Sequence, residues 1–191
     1  MLAKGHDFPN LTLVGVLDAD QGLYSADFRA AEQSAAMLHQ VAGRSGRADK
    51  PGEVLIPTRH PGHALFASLK AHDYMAFARM LLADRKRAGF PPHAFFALLR
   101  AEAPRREAAH DFLVAARHAA QGLVPAQVRV YEPVPAPMER RAGRYRAQLL
   151  VRAAARRALH DFLDRWIEAI EALPAARRAR WSLDVDPLDL N

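Results

Sequence analysis

The sequence predicts an α/β chain in two parts. A strand–helix–strand stretch of parallel character comes first, then an antiparallel α+β domain of order βαββαβ. Two observations carry this reading. Residues 10–18 (NLTLVGVLD) and 53–58 (EVLIPT) are short apolar runs on either side of an alanine-rich, helix-favouring stretch at 27–40. After Gly89-Phe90-Pro91-Pro92, which cannot stay helical, strand-like and helix-like segments alternate up to residue 185.

Each element has its own signal. The run at 10–18 ends in Asp18-Ala19-Asp20 and reads as a buried strand of a parallel sheet. In 27–40, Phe28, Ala31, Ala35 and Leu38 recur at helical spacing. Gly43, Gly46 and Pro51-Gly52 break that helix, and 53–58 is the returning strand of a right-handed βαβ unit. A unit this small does not close a sheet, so it reads as the end of a larger α/β domain. Residues 60–88 are mostly helical, with Leu65, Leu69 and 76–82 on an apolar stripe. Asp84-Arg85-Lys86-Arg87 ends the stretch with cations where the helix dipole favours them. The expected organisation is a first domain at 1–60, a helical connector at 61–90 and a second domain at 91–191.

In the second domain, 93–103 is a strand and 105–123 an amphipathic helix bearing Phe112, Leu113 and Ala116. Residues 128–133 form a strand, Val134-Pro135-Ala136-Pro137 a proline-rich turn, and 144–152 a third strand. The stretch 156–173 carries Leu159, Phe162, Leu163, Trp166, Ile167 and Ile170 at i, i+3, i+4 spacing, and 180–185 is the last strand. The order is that of a ferredoxin-like fold, two helices on one face of an antiparallel sheet. Trp166 and Phe162 belong to the core, and Trp181 packs against that helix.

Composition excludes several classes. With 191 residues, 50% apolar and 25% charged, the chain can bury a core and is not dominated by disorder. No run of eighteen apolar residues occurs, and the start lacks the apolar core of a signal peptide. Zero cysteines remove disulfides, thiolate metal sites and a cysteine nucleophile. A soluble, cytoplasmic protein without a membrane partner is expected. The net charge is +6, and seven arginines (140, 141, 144, 146, 152, 156, 157) fall in one stretch with no carboxylate. Arginine forks match phosphate or carboxylate, so nucleic acid or an acidic peptide fits, as does a solvated arginine surface.

The most specific string is Gln40-Val41-Ala42-Gly43-Arg44-Ser45-Gly46-Arg47. Its glycines allow a tight turn against a ligand. Two arginines three apart suit the stabilisation of a transferring phosphoryl group. A glycine-rich helix cap with surface arginines is the plainer alternative, weakened by the strand–helix–GRxGR–strand order.

That string resembles motif VI of superfamily 2 helicases. MLAKGHDFPN followed by LTLVGVLDAD resembles motif V and its strand. With GFPPHAFFALLRAE, EPVPAPMERRAGRYRAQLLV and WSLDVDP in the same order, the chain resembles the PriA family of primosomal replication-restart helicases throughout. The resemblance implies the C-terminal part of an ATP-driven 3′→5′ DNA helicase that recognises stalled forks and initiates primosome assembly. It would comprise the end of a second RecA-like helicase lobe, then a C-terminal docking domain. ATP and Mg²⁺ would be held mainly by a first lobe, and zinc by a cysteine-rich module, neither encoded here. No GxxxxGK[ST] string occurs, so this chain alone is expected to lack ATPase activity. Met1 within motif V suggests a truncation or a mis-set start. A truncated lobe could self-associate. A bacterial, nucleoid-associated location follows from the same resemblance.

Residue roles implied by the resemblance follow position by position. Arg44 and Arg47 would approach the γ-phosphate as catalytic residues. Gln40, Gly5 and Asp7 would lie near the nucleotide, and Lys4 near the DNA strand. His6 reads as a loop-bridging side chain rather than a catalytic one. Asp18 and Asp20 read as capping or interlobe contacts rather than an acid/base pair. In the C-terminal domain, Arg156, Arg157 and His160 would receive the acidic tail of single-stranded DNA-binding protein, although His160 stands where an amide residue is expected. Arg140, Arg141, Arg144 and Arg146, with Tyr145 interleaved, suit forked or single-stranded DNA, phosphates on the guanidinium groups and a base on the ring. Other primosome proteins are further implied partners. His60 and His63 lack a third ligand, so no metal site is expected. A free-standing nucleic-acid or protein-docking adaptor is the alternative reading.

Overall fold

The structure is a computed structural model that describes residues 11–24, 27–43 and 52–190. Lys4, Gly5, His6, Asp7, Arg44 and Arg47 lie outside the described residues. The chain divides into two compact units, Met1–Asp84 and Arg85–Asn191.

In the first unit, β1 (Leu13–Gly15) and β2 (Glu53–Leu55) pair in parallel, Val14 opposite Val54, and α1 (Ala30–Ala42) lies between them in the chain. Parallel pairing of neighbouring strands requires such a crossover. The stretch at 60–88 is two helices, α2 (Ala64–Ala71) and α3 (Tyr74–Ala88). His72 is left-handed, with φ 53°, and the Asp73 carboxylate accepts the Ala76 amide at 2.8 Å. One residue therefore ends a helix and the next caps a new one. Ala35 and Leu38 of α1, Leu65, Phe66 and Leu69 of α2 and Phe77 of α3 form the core. Val16 and Ile56, just beyond the two strands, pack against it. Leu13, Leu17 and Leu55 remain exposed.

The second unit contains β3 (Phe95–Ala103), α4 (Arg106–Ala119), β4 (Val128–Val130), β5 (Val134–Arg141), β6 (Arg144–Ala153), α5 (Arg156–Glu171) and β7 (Arg180–Val185). The sheet runs β4-β6-β3-β7, all antiparallel, and β5 also pairs with β6. Residues 134–137, expected as a turn, belong to β5. A strand at the sheet edge tolerates prolines because the missing N–H need not join a ladder, and a register shift between Pro135 and Arg140 absorbs the irregularity.

Strand alternation gives the sheet two different faces. Ala97, Leu99, Ala101 and Ala103 of β3, with Ala147, Leu149, Val151 and Ala153 of β6, pack against Phe112 and Leu113 of α4 and Phe162, Leu163 and Trp166 of α5. Each large side chain so buried contributes roughly 1.5–3 kcal/mol. The opposite face carries Arg100, Glu102, Arg146 and Gln148. There the segment after β7 lies across the sheet. Arg100 meets Asp184 at 2.9 Å and Asp189 at 3.5 Å, and the Gln148 amide donates to the Leu190 carbonyl at 2.8 Å.

Candidate functional site

The β5–β6 hairpin places the interleaved arginines. Arg141 pairs with Arg144 across a two-residue turn whose Ala142 and Gly143 both have positive φ, 48° and 76°. Two positive φ values match the right-handed twist of the strands and make a tight hairpin tip. Arg140, Arg141 and Arg144 are exposed there. The Arg140 guanidinium lies over the Tyr145 ring, 5.3 Å from its centroid. Arg146 differs: its Nε lies 3.4 Å from the Glu102 carboxylate and its side chain is only 17% accessible. The tip therefore presents three solvent-facing arginines, and the fourth is matched within the sheet.

Arg156 opens α5 at the other end of the sheet. It meets Asp186 at 2.6 Å and lies 4.9 Å over the Phe95 ring. Arg157, 93% accessible, stands 3.7 Å from Asp161, and His160 is exposed one turn along. Arg156 is thus a cation fixed beside an aromatic ring, the pairing that an acidic peptide with an apolar end requires.

A third feature escaped the sequence reading. Arg106 opens α4 as Arg156 opens α5, and its Nε and Nη2 donate to both oxygens of Glu139 on β5. These hydrogen bonds hold the Glu139 carboxyl below its usual range and raise Arg106. Beside this pair a cavity of about 350 Å³ is lined by Arg106, His110, Pro135, Glu139, Tyr145 and Ala147, among others. The signal for it was an internal repeat. His110-Asp111-Phe112-Leu113 returns as His160-Asp161-Phe162-Leu163 at an offset of fifty residues, and Ala103, Arg106 and Phe95 return as Ala153, Arg156 and Tyr145. The two strand–helix units carry similar burial patterns, and their strands pair antiparallel. Each helix start therefore sits beside the aromatic of the other unit's strand.

In the first unit, Asp20 accepts the Thr58 hydroxyl and, at 2.9 Å, the Arg59 amide. The Arg59 amide and then the Thr58 hydroxyl lower its pKa. Asp20 ties the loop after β1 to the loop after β2. Asp18, with φ 56°, leads into the 3-10 turn that carries Asp20. His60 pairs with the Tyr24 hydroxyl at 2.8 Å, and His63 accepts the Leu65 amide at the start of α2. Among the described residues no His/Cys/Asp/Glu group could hold a metal ion. Gln40 is an exposed residue of α1.

The repeat, with both arginine-bearing ends, falls within a match to known proteins. A family model described as Primosomal protein N C-terminal domain matches residues 86–188, more than half of the chain. The chain belongs to the PriA family. Replication restart protein PriA of Haemophilus influenzae is 42% identical over 191 residues, covering 100% of this chain and 26% of that protein. Its counterpart in Bacillus subtilis is 35% identical over 189 residues, 98% of this chain and 23% of the relative. The one in Synechocystis sp. is 39% identical over 152 residues, 80% and 18% respectively. The chain therefore spans about a quarter, or less, of the length of these PriA relatives. The family match runs through β3 to β7, so Arg106, the hairpin and Arg156 all belong to the PriA C-terminal domain.

Proposed function

We propose that this chain is the C-terminal part of a PriA-type replication-restart protein, an ATP-dependent 3′→5′ DNA helicase acting at stalled forks. Its second unit contacts forked or single-stranded DNA through Arg140, Arg141 and Arg144. The same unit receives the acidic tail of single-stranded DNA-binding protein beside Arg156, Arg157 and His160. The observation that carries the reading is the placement of two separate arginine sites at opposite ends of one sheet, inside the range matched by the family. Two strand–helix units with both helices on one face support a ferredoxin-like domain. The parallel β1–β2 pair with its helical crossover supports the end of a RecA-like lobe, on which Arg44, Arg47, Gln40, Gly5, Asp7 and Lys4 take their motif V and VI roles. The exposed Leu13, Leu17 and Leu55 suit the apolar surface that such a lobe covers. ATP, Mg²⁺ and zinc belong to the longer protein.

Fluorescence anisotropy with a labelled acidic peptide ending in Phe, and separately with a forked DNA, tests both sites at two salt concentrations. Arg156→Ala should abolish peptide binding and leave the fork affinity within about threefold. Arg141→Ala/Arg144→Ala should weaken the fork by more than tenfold and flatten its salt dependence. A folded chain that binds neither ligand would overturn the reading of this domain. DNA-stimulated ATP hydrolysis by the chain alone would overturn the assignment of ATP chemistry to the longer protein.

A further inference from the structure

The cavity beside α4 and the arginines at the hairpin tip share one residue, Tyr145. Tyr145 lines the cavity, while its ring also carries the Arg140 guanidinium, which is not part of the lining. Pro135, Ala147 and the Tyr145 ring supply apolar surface, and His110, Asp111 and Glu139 supply polar atoms. At about 350 Å³ the space is within the range of small-ligand pockets.

We infer that this cavity takes one unstacked base of a single DNA strand whose phosphates lie on Arg140, Arg141 and Arg144. The inference rests on the proposed DNA contact of the hairpin and specifies how that contact treats a base. A neutral, flat, partly apolar group suits the lining, and His110 and Asp111 offer acceptors for exocyclic amino groups. The internal repeat argues against an acidic peptide as the occupant. Where the Arg156 end has Arg157, the Arg106 end has Glu107; Arg106 is held by both oxygens of Glu139, whereas Arg156 meets Asp186 through one, and the other lining arginine, Arg146, lies 3.4 Å from Glu102. A carboxylate-rich tail would meet Glu107, Asp111 and Glu139 at this mouth, whereas a neutral base would not be repelled. The phosphates are left to the hairpin tip, where the arginines face solvent.

The test uses the full chain, a short oligonucleotide, and the same phosphodiester length carrying abasic sugars throughout. The intact oligonucleotide should bind about tenfold more tightly, the range of one base–aromatic contact. Ala147→Ile, at a buried lining position on β6, fills the cavity without adding an aromatic ring. It should bring the two affinities together while leaving the salt slope unchanged. Arg141→Ala/Arg144→Ala should weaken both oligonucleotides equally and reduce the slope. Equal binding of the intact and abasic strands by the unsubstituted chain would overturn the proposal and leave the hairpin contact standing. A base preference that survives Ala147→Ile in a variant with native circular dichroism would also overturn it. So would saturable binding of an acidic peptide that Ala147→Ile abolishes. Failure of both strands to bind the unsubstituted chain would overturn the hairpin reading itself, and this inference with it.

Discussion

Trp166 donates its indole N–H to the Ala116 carbonyl oxygen at 2.8 Å, joining α5 to α4 inside the core. The ring is fully buried and stacks on Phe162 at 5.3 Å between centroids. The two helices are thus fixed in register by a polar contact in an otherwise apolar layer, where an unmade hydrogen bond is expensive.

Trp166→Phe removes the donor and part of the ring volume together. A loss of roughly 2–4 kcal/mol is expected, the sum of a cavity and an under-satisfied carbonyl. Urea unfolding checks this. A change below about 0.5 kcal/mol would mean that the contact carries little weight.

Ala142 occupies the first central position of the hairpin turn with φ 48°, where a β-carbon is strained. Ala142→Gly or Ala142→Asn should stabilise the second unit by about 1 kcal/mol, since both residues tolerate that conformation. Thermal unfolding of the two variants reads it. An unchanged or lowered midpoint in both would show that the turn tolerates alanine without cost.

Gly89 has φ 64°, and a β-carbon there would come within 1.9 Å of the Arg152 guanidinium. The guanidinium is the far end of a flexible side chain and can move, but the backbone conformation cannot be relieved in the same way. Gly89→Ala should therefore cost about 1–2 kcal/mol, mostly from φ. Adding Arg152→Ala should recover little of it, which a double-mutant cycle would read directly.

His39 is held below its ordinary pKa, first by burial and then by the nearby His72. Its ring stands edge-on to Tyr74, 5.3 Å between centroids, and its Nε2 lies 3.4 Å from the Ser68 hydroxyl. The fold favours the neutral ring, so the unfolded chain binds the proton more readily. The stabilisation is complete above pH 6.5, the ordinary value for a histidine, and is lost as pH falls through the depressed folded value. Protection factors of amides in α1 and α2, which take out the intrinsic slowing of exchange by acid, should fall on acidification across that window more than those in α4 and α5. His39→Gln should remove the difference, and a difference that persisted would assign it to another group.

The sequence was most legible where periodicity and burial agree. The strand at 180–185 and the helix beginning at Arg156 appear where alternation and the Leu159, Phe162, Leu163, Trp166, Ile170 stripe put them. Legibility failed where a neighbour decides the outcome. Pro135 and Pro137 signal a turn by themselves, and only the edge of β6 turns them into a strand. His72 and Asp73 interrupt a stretch of good helix formers through a left-handed residue that composition does not announce. At the site, the arginines of the hairpin tip were readable as a group. The separation of Arg146 from them depends on Glu102, which the pairing of β3 with β6 brings opposite it. The cavity beside Arg106 depends in the same way on Glu139 and Pro135, both on β5, whose first four residues spell a proline-rich turn in the sequence.

The offset-of-fifty repeat makes the domain its own reference. Phe112 and Phe162 are the same residue in the same four-letter string, both fully buried, one stacked on Trp181 and the other on Trp166. A substitution made at either position has a matched comparison within one polypeptide, at one concentration and in one solvent. Differences between the twin sites then report surroundings alone. A tendency that is intrinsic to the residue or to helix position cancels between the two copies, as it never does between separate proteins.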